Sequence, residues 1–307
     1  MASQKEVKNR IASVKNINKI TRAMEMVAAA RLRRAEQRIS DMRPYAEGMR
    51  KLTRRAAAQA GGIPRVPVLE ERENVKRVGI VLVTGDRGLA GAFNSNIIRE
   101  GMRMAAKVRQ EGAEPSFAVV GRKGVSALTF RKQDVSGSYV GFTDRPAFAN
   151  AREIGEEMTA RYVDQGLDRV ELVYNRFVSP LTQHVWRQTL LPLQQAEVMG
   201  EGAEEEAAAE EEETDAEKAQ SRSEWLYEPD PEELLGRLIP EYVTISVYRA
   251  LLESAASELG ARMTAMRNAA ENAESMIGDL TLEMNRARQA EITQEILEVV
   301  GGAEALG

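Results

Sequence analysis

From Glu241 to Val300 the chain runs sixty residues without a proline, and its apolar residues keep a strict seven-residue beat. Leu252, Leu259, Met266, Ala273, Leu280 and Ala287 recur every seventh position, with Ala256, Met263, Ala270, Ile277 and Met284 four after each of the first five. Alternating steps of four and three make the seam of a coiled coil, which presupposes a partner helix of similar length. Sixty helical residues span about 90 Å, far more than one small domain can cover.

Residues 1–43 are the obvious partner, because they contain neither glycine nor proline. Their apolar positions are Ile11, Val14, Ile17, Ile20, Met24 and Val27, followed by Leu32, Ala35, Ile39 and Met42. Steps of mostly three and four place these on one helical face, which is the stripe expected to meet the C-terminal helix. Pro44 removes one backbone donor, yet the pattern resumes at Met49 and Leu52 before Gly61, Gly62, Pro64 and Pro67 end it.

Between about 75 and 192 the period changes. Val78–Val83 is a continuous apolar run, as in a strand buried on both faces, and 116–120 and 170–174 read alike. Helical stretches near 95–110, 122–131 and 147–165 separate them, and a further strand is expected around 185–189. Strands alternating with helices make an α/β sheet. The expected fold class is therefore α/β: a long antiparallel coiled coil of the N- and C-terminal helices with a central Rossmann-like α/β domain. The domains read as an N-terminal shaft helix over 1–58, the α/β domain over 75–192, an acidic low-complexity insertion over 197–222 and a C-terminal shaft helix over 231–300. A domain of about 120 residues has a radius of gyration near 14 Å, so the helices must protrude from it.

Charge is segregated along the chain. The net value of −5 hides +10 over residues 1–58, −9 over 197–222 and −5 over 241–300. Opposite charges on the two long helices favour their pairing. The absence of cysteine excludes a disulfide framework, a Cys-ligated zinc site and a thiol nucleophile. A lone histidine, His184, argues against a His-cluster metal site or a His-relay hydrolase. No uncharged run exceeds eleven residues, against about twenty needed to span a bilayer. The N-terminus lacks the apolar core of a signal peptide, which points to the cytoplasm.

Thr84–Asn94 follows the first strand and opens a helix, where a phosphate loop would lie. It lacks the Lys-Ser or Lys-Thr of a nucleoside-triphosphate loop, and its glycines do not fit G-x-G-x-x-G. A tight turn and close helix packing account for Gly85, Gly88 and Gly91, and the same holds for Gly121 and Gly124. The basic first helix has no aromatic residues interleaved among its Lys and Arg, which argues against nucleic acid. The acidic tract lacks the alternating ligands and glycine of a calcium loop and reads as a solvated segment.

Several blocks carry a specific resemblance: Met24-Glu-Met-Val-Ala-Ala-Ala30, Arg43-Pro-Tyr-Ala-Glu47, Gly85-Asp-Arg-Gly-Leu89, Tyr227-Glu-Pro-Asp-Pro231 and Asn285-Arg-Ala-Arg-Gln-Ala-Glu-Ile-Thr-Gln-Glu295 followed by Gly301-Gly302. In this order the chain resembles the gamma chain of F-type ATP synthases over essentially its whole length, apart from the acidic tract. The resemblance implies a central rotor shaft that couples proton flow to ATP synthesis. Its partners would be three alpha and three beta subunits around the coil, and the epsilon subunit and the c ring at the foot. Membrane contact would be indirect, at the cytoplasmic face of the cell membrane. Carried over position by position, Met24, Arg288 and Gln289 fall where relatives contact beta subunits, and Tyr227 and Glu228 where the foot meets the c ring. Nucleotide sites belong to the other subunits, so no catalytic, cofactor or metal residue is expected here. Chloroplast relatives carry a redox-active dithiol near the position of the acidic tract, a switch that a chain without cysteine lacks.

Two other readings remain open at this point. One is a phosphate- or nucleotide-binding α/β enzyme with a coiled-coil arm; the other is an extended scaffold adaptor. The enzyme needs convergent polar groups, and the chain has one histidine and an incomplete phosphate loop; the adaptor does not explain the apolar C-terminal end, Ile292, Ile296, Leu297, Val299 and Val300.

Overall fold

The structure, a computed structural model, describes residues 4–60, 66–194 and 230–305. Its first element is a single helix, α1, from Gln4–Gln59, which continues through Pro44. A short 3-10 turn at Pro67–Leu69 leads into the sheet domain. There β1 (Arg77–Val83), α2 (Phe93–Gln110), β2 (Glu114–Val120), α3 (Arg122–Phe130), β3 (Val135–Tyr139), α4 (Phe148–Val163), β4 (Arg169–Ser179) and β5 (Thr182–Leu191) follow in turn. The last described element, α5, runs from Pro231–Ala305 and continues through Pro240. At 1.5 Å per residue the two long helices measure about 85 and 110 Å.

The five strands lie in the order β3-β2-β1-β4-β5. The first four are parallel, and β5 returns antiparallel to β4 as a hairpin at one edge. Strand β1 is apolar on both faces because both are covered. Val78, Ile80 and Leu82 pack beneath Ile97, Met104 and Leu128 of α2 and α3. Val81 and Val83 face Ile154, Met158 and Tyr162 of α4 together with Val243, Val247 and Leu251 of α5. The C-terminal helix is thus part of the domain's core before it becomes shaft. Ten consecutive residues, 251–260, are buried, since sheet and α1 enclose the helix there.

Strand β3 escapes a reading from sequence. Val-Ser-Gly-Ser-Tyr has no apolar run because it is an edge strand, bonded only to β2. The further strand expected around 185–189 is β5, which pairs antiparallel with β4 as a hairpin.

Beyond the domain, α1 and α5 pack antiparallel. Leu32 and Ala35 meet Ala256 and Leu259, and Val7 and Ile11 meet Leu280 farther out. The α5 seam contains the heptad residues read from the sequence, with Leu252, Leu259, Met266, Ala273 and Leu280 all buried. The α1 stripe departs from its sequence reading in the middle. Ile17, Ile20 and Val27 are more than half exposed, while the seam passes through Asn18, Thr21, Glu25 and Ala28. Steps of three in a row drift off a heptad line, so the apolar stripe veers outward while the small and polar residues keep the coiled-coil spacing.

Candidate functional site

The crevice at the C-terminal end of β1 is where a doubly wound sheet ordinarily takes its ligand. Here α5 occupies it. Val83, Thr84, Phe93 and Thr143 close on Leu251, Ser254, Ala255 and Glu258, leaving about 10 Å³, room for about one water. Gly85 lies close under this contact: a Cβ there would stand 2.8 Å from Glu258 Oε2 and push the carboxylate aside. Burial pushes the Glu258 carboxyl above its usual range, against the pull of the Arg262 guanidinium, whose Nη2 donates to its Oε1 at 2.5 Å.

The loop after β1 is held from the other side by Asp86. Its carboxylate accepts from the backbone N–H groups of Arg122, Gly141 and Thr143 at 2.9–3.2 Å and from the Thr143 hydroxyl at 3.0 Å. Burial raises this carboxyl, but the four donors outweigh it and hold the group below its ordinary pKa. Asp144 stands 3.7 Å from Arg31 of α1 and 3.9 Å from Arg87 of the loop. Asp86, Asp144 and the Glu258–Arg262 pair therefore join sheet, α1 and α5 into one junction. Gly121 has φ +93°, and a Cβ there would meet the Thr84 carbonyl at 2.3 Å, so its turn serves packing. His184 is exposed on β5 opposite Arg176, in the register of the hairpin. Among the described residues no group of three or more His, Cys, Asp or Glu is placed to hold a metal ion.

The shaft offers a different surface. Met24 is half-buried at the rim of the seam, beside the exposed Ile17, Ile20 and Val27. Its level on the shaft is marked by Arg267, whose Nε donates to Glu25 Oε1 at 2.8 Å. Arg288 and Gln289 are exposed about 30 Å farther along α5, so Met24 is not brought together with them. Tyr227 and Glu228 lie outside the described residues, as does the acidic tract 197–222. From Arg288 to Gly301 every residue of α5 is exposed, because α1 ends at that level. Ile292, Ile296, Leu297, Val299 and Val300 are 47–72% exposed on that lone helix. The sequence reading missed the junction carboxylates. An acid, Glu258, inside a buried apolar helix was the available signal.

A family model described as ATP synthase matches residues 3–306. The ATP synthase gamma chain of Rubrobacter xylanophilus is 44% identical over 306 residues, covering all of this chain and 99% of that one. The gamma chain of Nostoc punctiforme is 42% identical over 320 residues, covering both chains in full. The chain belongs to the ATP synthase gamma-chain family. A central-stalk chain of the Tetrahymena thermophila mitochondrial ATP synthase shares 30% identity and a TM-score of 0.58, covering 81% of this chain and 99% of that one. A chain of the Euglena gracilis mitochondrial ATP synthase, at 18% identity and a TM-score of 0.65 over 99% of this chain and 94% of that one, shares the fold.

Proposed function

We propose that this chain is the central rotor stalk of a proton-translocating F-type ATP synthase, carrying torque between a membrane c ring and the alpha and beta subunits. The observation that carries the proposal is the end of α5, a single helix with five large apolar residues exposed beyond the reach of α1. Such a surface is unfavourable in water and calls for an enclosing partner. A sleeve of three alpha and three beta subunits supplies one. In this reading Met24, Arg288 and Gln289 contact beta subunits at two heights, and Tyr227 and Glu228 meet the c ring near the epsilon subunit.

The chain itself performs no chemistry in this role. The filled crevice at β1 supports that reading over the nucleotide-binding enzyme, since about 10 Å³ cannot admit a nucleotide. Among the described residues no helix is long and apolar enough to cross a membrane. Attachment at the cytoplasmic face of the cell membrane therefore runs through the c ring.

Co-expression of the tagged chain with the alpha and beta subunits of the same source tests the proposal. The expected product contains three alpha and three beta chains for each tagged chain and hydrolyses ATP. With the c ring and epsilon subunit added in vesicles, it should pump protons. Recovery of the tagged chain without alpha and beta subunits would sink the rotor reading.

A further inference from the structure

Midway along the shaft α1 turns its less apolar face inward. Ile17, Ile20 and Val27 point to solvent, and Asn18, Thr21, Glu25 and Ala28 line the seam against α5. Within residues 17–27 hydrophobic burial favours a phase turned by about 100°, one residue's turn of the helix, whereas Val7, Ile11, Leu32 and Ala35 on either side hold the phase observed. Two features of α5 also oppose the turned phase. Ala270 and Ala273 are buried on the facing seam, which lets the helix axes approach closely. Branched side chains such as Ile17 and Ile20 would hold the axes apart.

The second feature is polar. Asn18 Nδ2 donates to the Ala270 carbonyl at 2.7 Å, reaching main chain that a methyl side chain leaves open. Arg22 Nη2 donates to Glu274 Oε2 at 2.8 Å, and Arg267 Nε donates to Glu25 Oε1 at 2.8 Å. All three bonds cross from one helix to the other, and the two ion pairs run in opposite senses of charge. Turning Ile17 and Ile20 inward breaks all three at once. Polar groups at single seam positions are known to specify the arrangement of coiled coils at some expense in stability.

We propose that Asn18, Arg22 and Glu25 are positioning residues that set the helical phase of α1 on α5 and so keep Ile17, Ile20 and Val27 outward as a ridge. The ridge is then available to the enclosing subunits; that clause rests on the rotor reading, whereas the phase itself does not. The polar contacts reserve them for a partner.

The chain has no cysteine, so introduced pairs report phase directly. Ala28→Cys with Met263→Cys reports the phase described here, and Val27→Cys with Met263→Cys reports the rotated one. Disulfide yield is read on the full chain, alone and in the complex with alpha and beta subunits. With Asn18, Arg22 and Glu25 intact the first pair should dominate. Asn18→Leu combined with Glu25→Leu should lower its yield several-fold and raise that of the second pair, and Asn18→Gln should leave the ratio unchanged. An unchanged ratio in the double leucine variant would overturn the proposal and leave the phase to the small seam alanines and to Val7, Ile11, Leu32 and Ala35 at either end. If that variant does not fold, exchanging the partners decides: Arg22→Glu with Glu274→Arg, and Glu25→Arg with Arg267→Glu, should keep the first pair dominant. Loss of phase in the exchanged variant overturns the proposal. A phase change measured on the chain alone, with pumping by the complex unaffected, would leave the phase assignment standing and remove its link to the rotor.

Discussion

Asp86 shows how much one carboxylate can hold. Two loops, from Gly121 and from Gly141, converge on it through three N–H donors and one hydroxyl. Burial would raise its pKa and the donors lower it, with the net result below the ordinary value of 3.8. The stability it contributes is therefore complete above that value and lost as pH falls through the lower, folded-state one. Asp86→Ala leaves these donors without their charged acceptor; water can reach those of Arg122 and Gly141, so the cost is about 1–2 kcal/mol. Thermal unfolding at neutral pH should occur several degrees lower in the variant, with the gap to the parent closing only in strong acid. A gap independent of pH would mean that the carboxylate acts through its shape and not its charge.

At the scale of the element, the two apolar faces of α1 make opposite predictions. Leu32 is 3% exposed and packs with Ala35, Ala256 and Leu259. Leu32→Ala should cost about 3 kcal/mol, the transfer of the lost carbons plus the cavity they leave. Amide hydrogen exchange along the neighbouring turns of α1 should accelerate accordingly. Val27, only five residues away, is 53% exposed. Val27→Ala should change the stability of the isolated chain by less than about 0.5 kcal/mol. If Val27→Ala proved as damaging to the chain alone as Leu32→Ala, the outward ridge would be wrong. Any deficit of Val27→Ala should instead appear on assembly.

For the whole molecule, the proposed rotor role has torque pass from the α/β domain through the junction at Glu258 and along the coil to its apolar end. Met24 lies between, half-buried at the rim of the seam. In the proposed reading Met24 faces the beta subunits; Met24→Lys would then place an ammonium at that contact, where a charge sheltered from water biases some rotational positions. A bias of about 1.4 kcal/mol changes the population of one dwell tenfold. ATP hydrolysis by the variant complex should persist while proton pumping falls. Equal loss of both, with less complex recovered, would make Met24 a packing residue of the coil. The α/β domain has a separate duty, since its ligand crevice is spent on gripping α5.

The heptad of α5 was legible because a coiled-coil seam is periodic along one chain: Leu252 to Leu280 announce a partner helix whatever that partner is. The βαβ alternation was legible for the same reason, as Val78–Val83 is apolar throughout only when both faces are covered. Apolar residues in α1 reported only that something must cover them. Ile11 and Leu32 are covered by α5, Ile17 and Ile20 are not, and hydrophobicity is identical in kind for both pairs. Nor could local pattern reveal β3, whose partners are backbone groups of β2. Asp86 and Glu258 acquire their roles from atoms remote in sequence, Thr143 and Gly141 for one and Gly85 for the other. Periodicity is a property of a segment and survives translation into sequence. The choice of face depends on which side chains across the seam are small enough, or polar enough, to hold it, and that is decided only when the two helices meet.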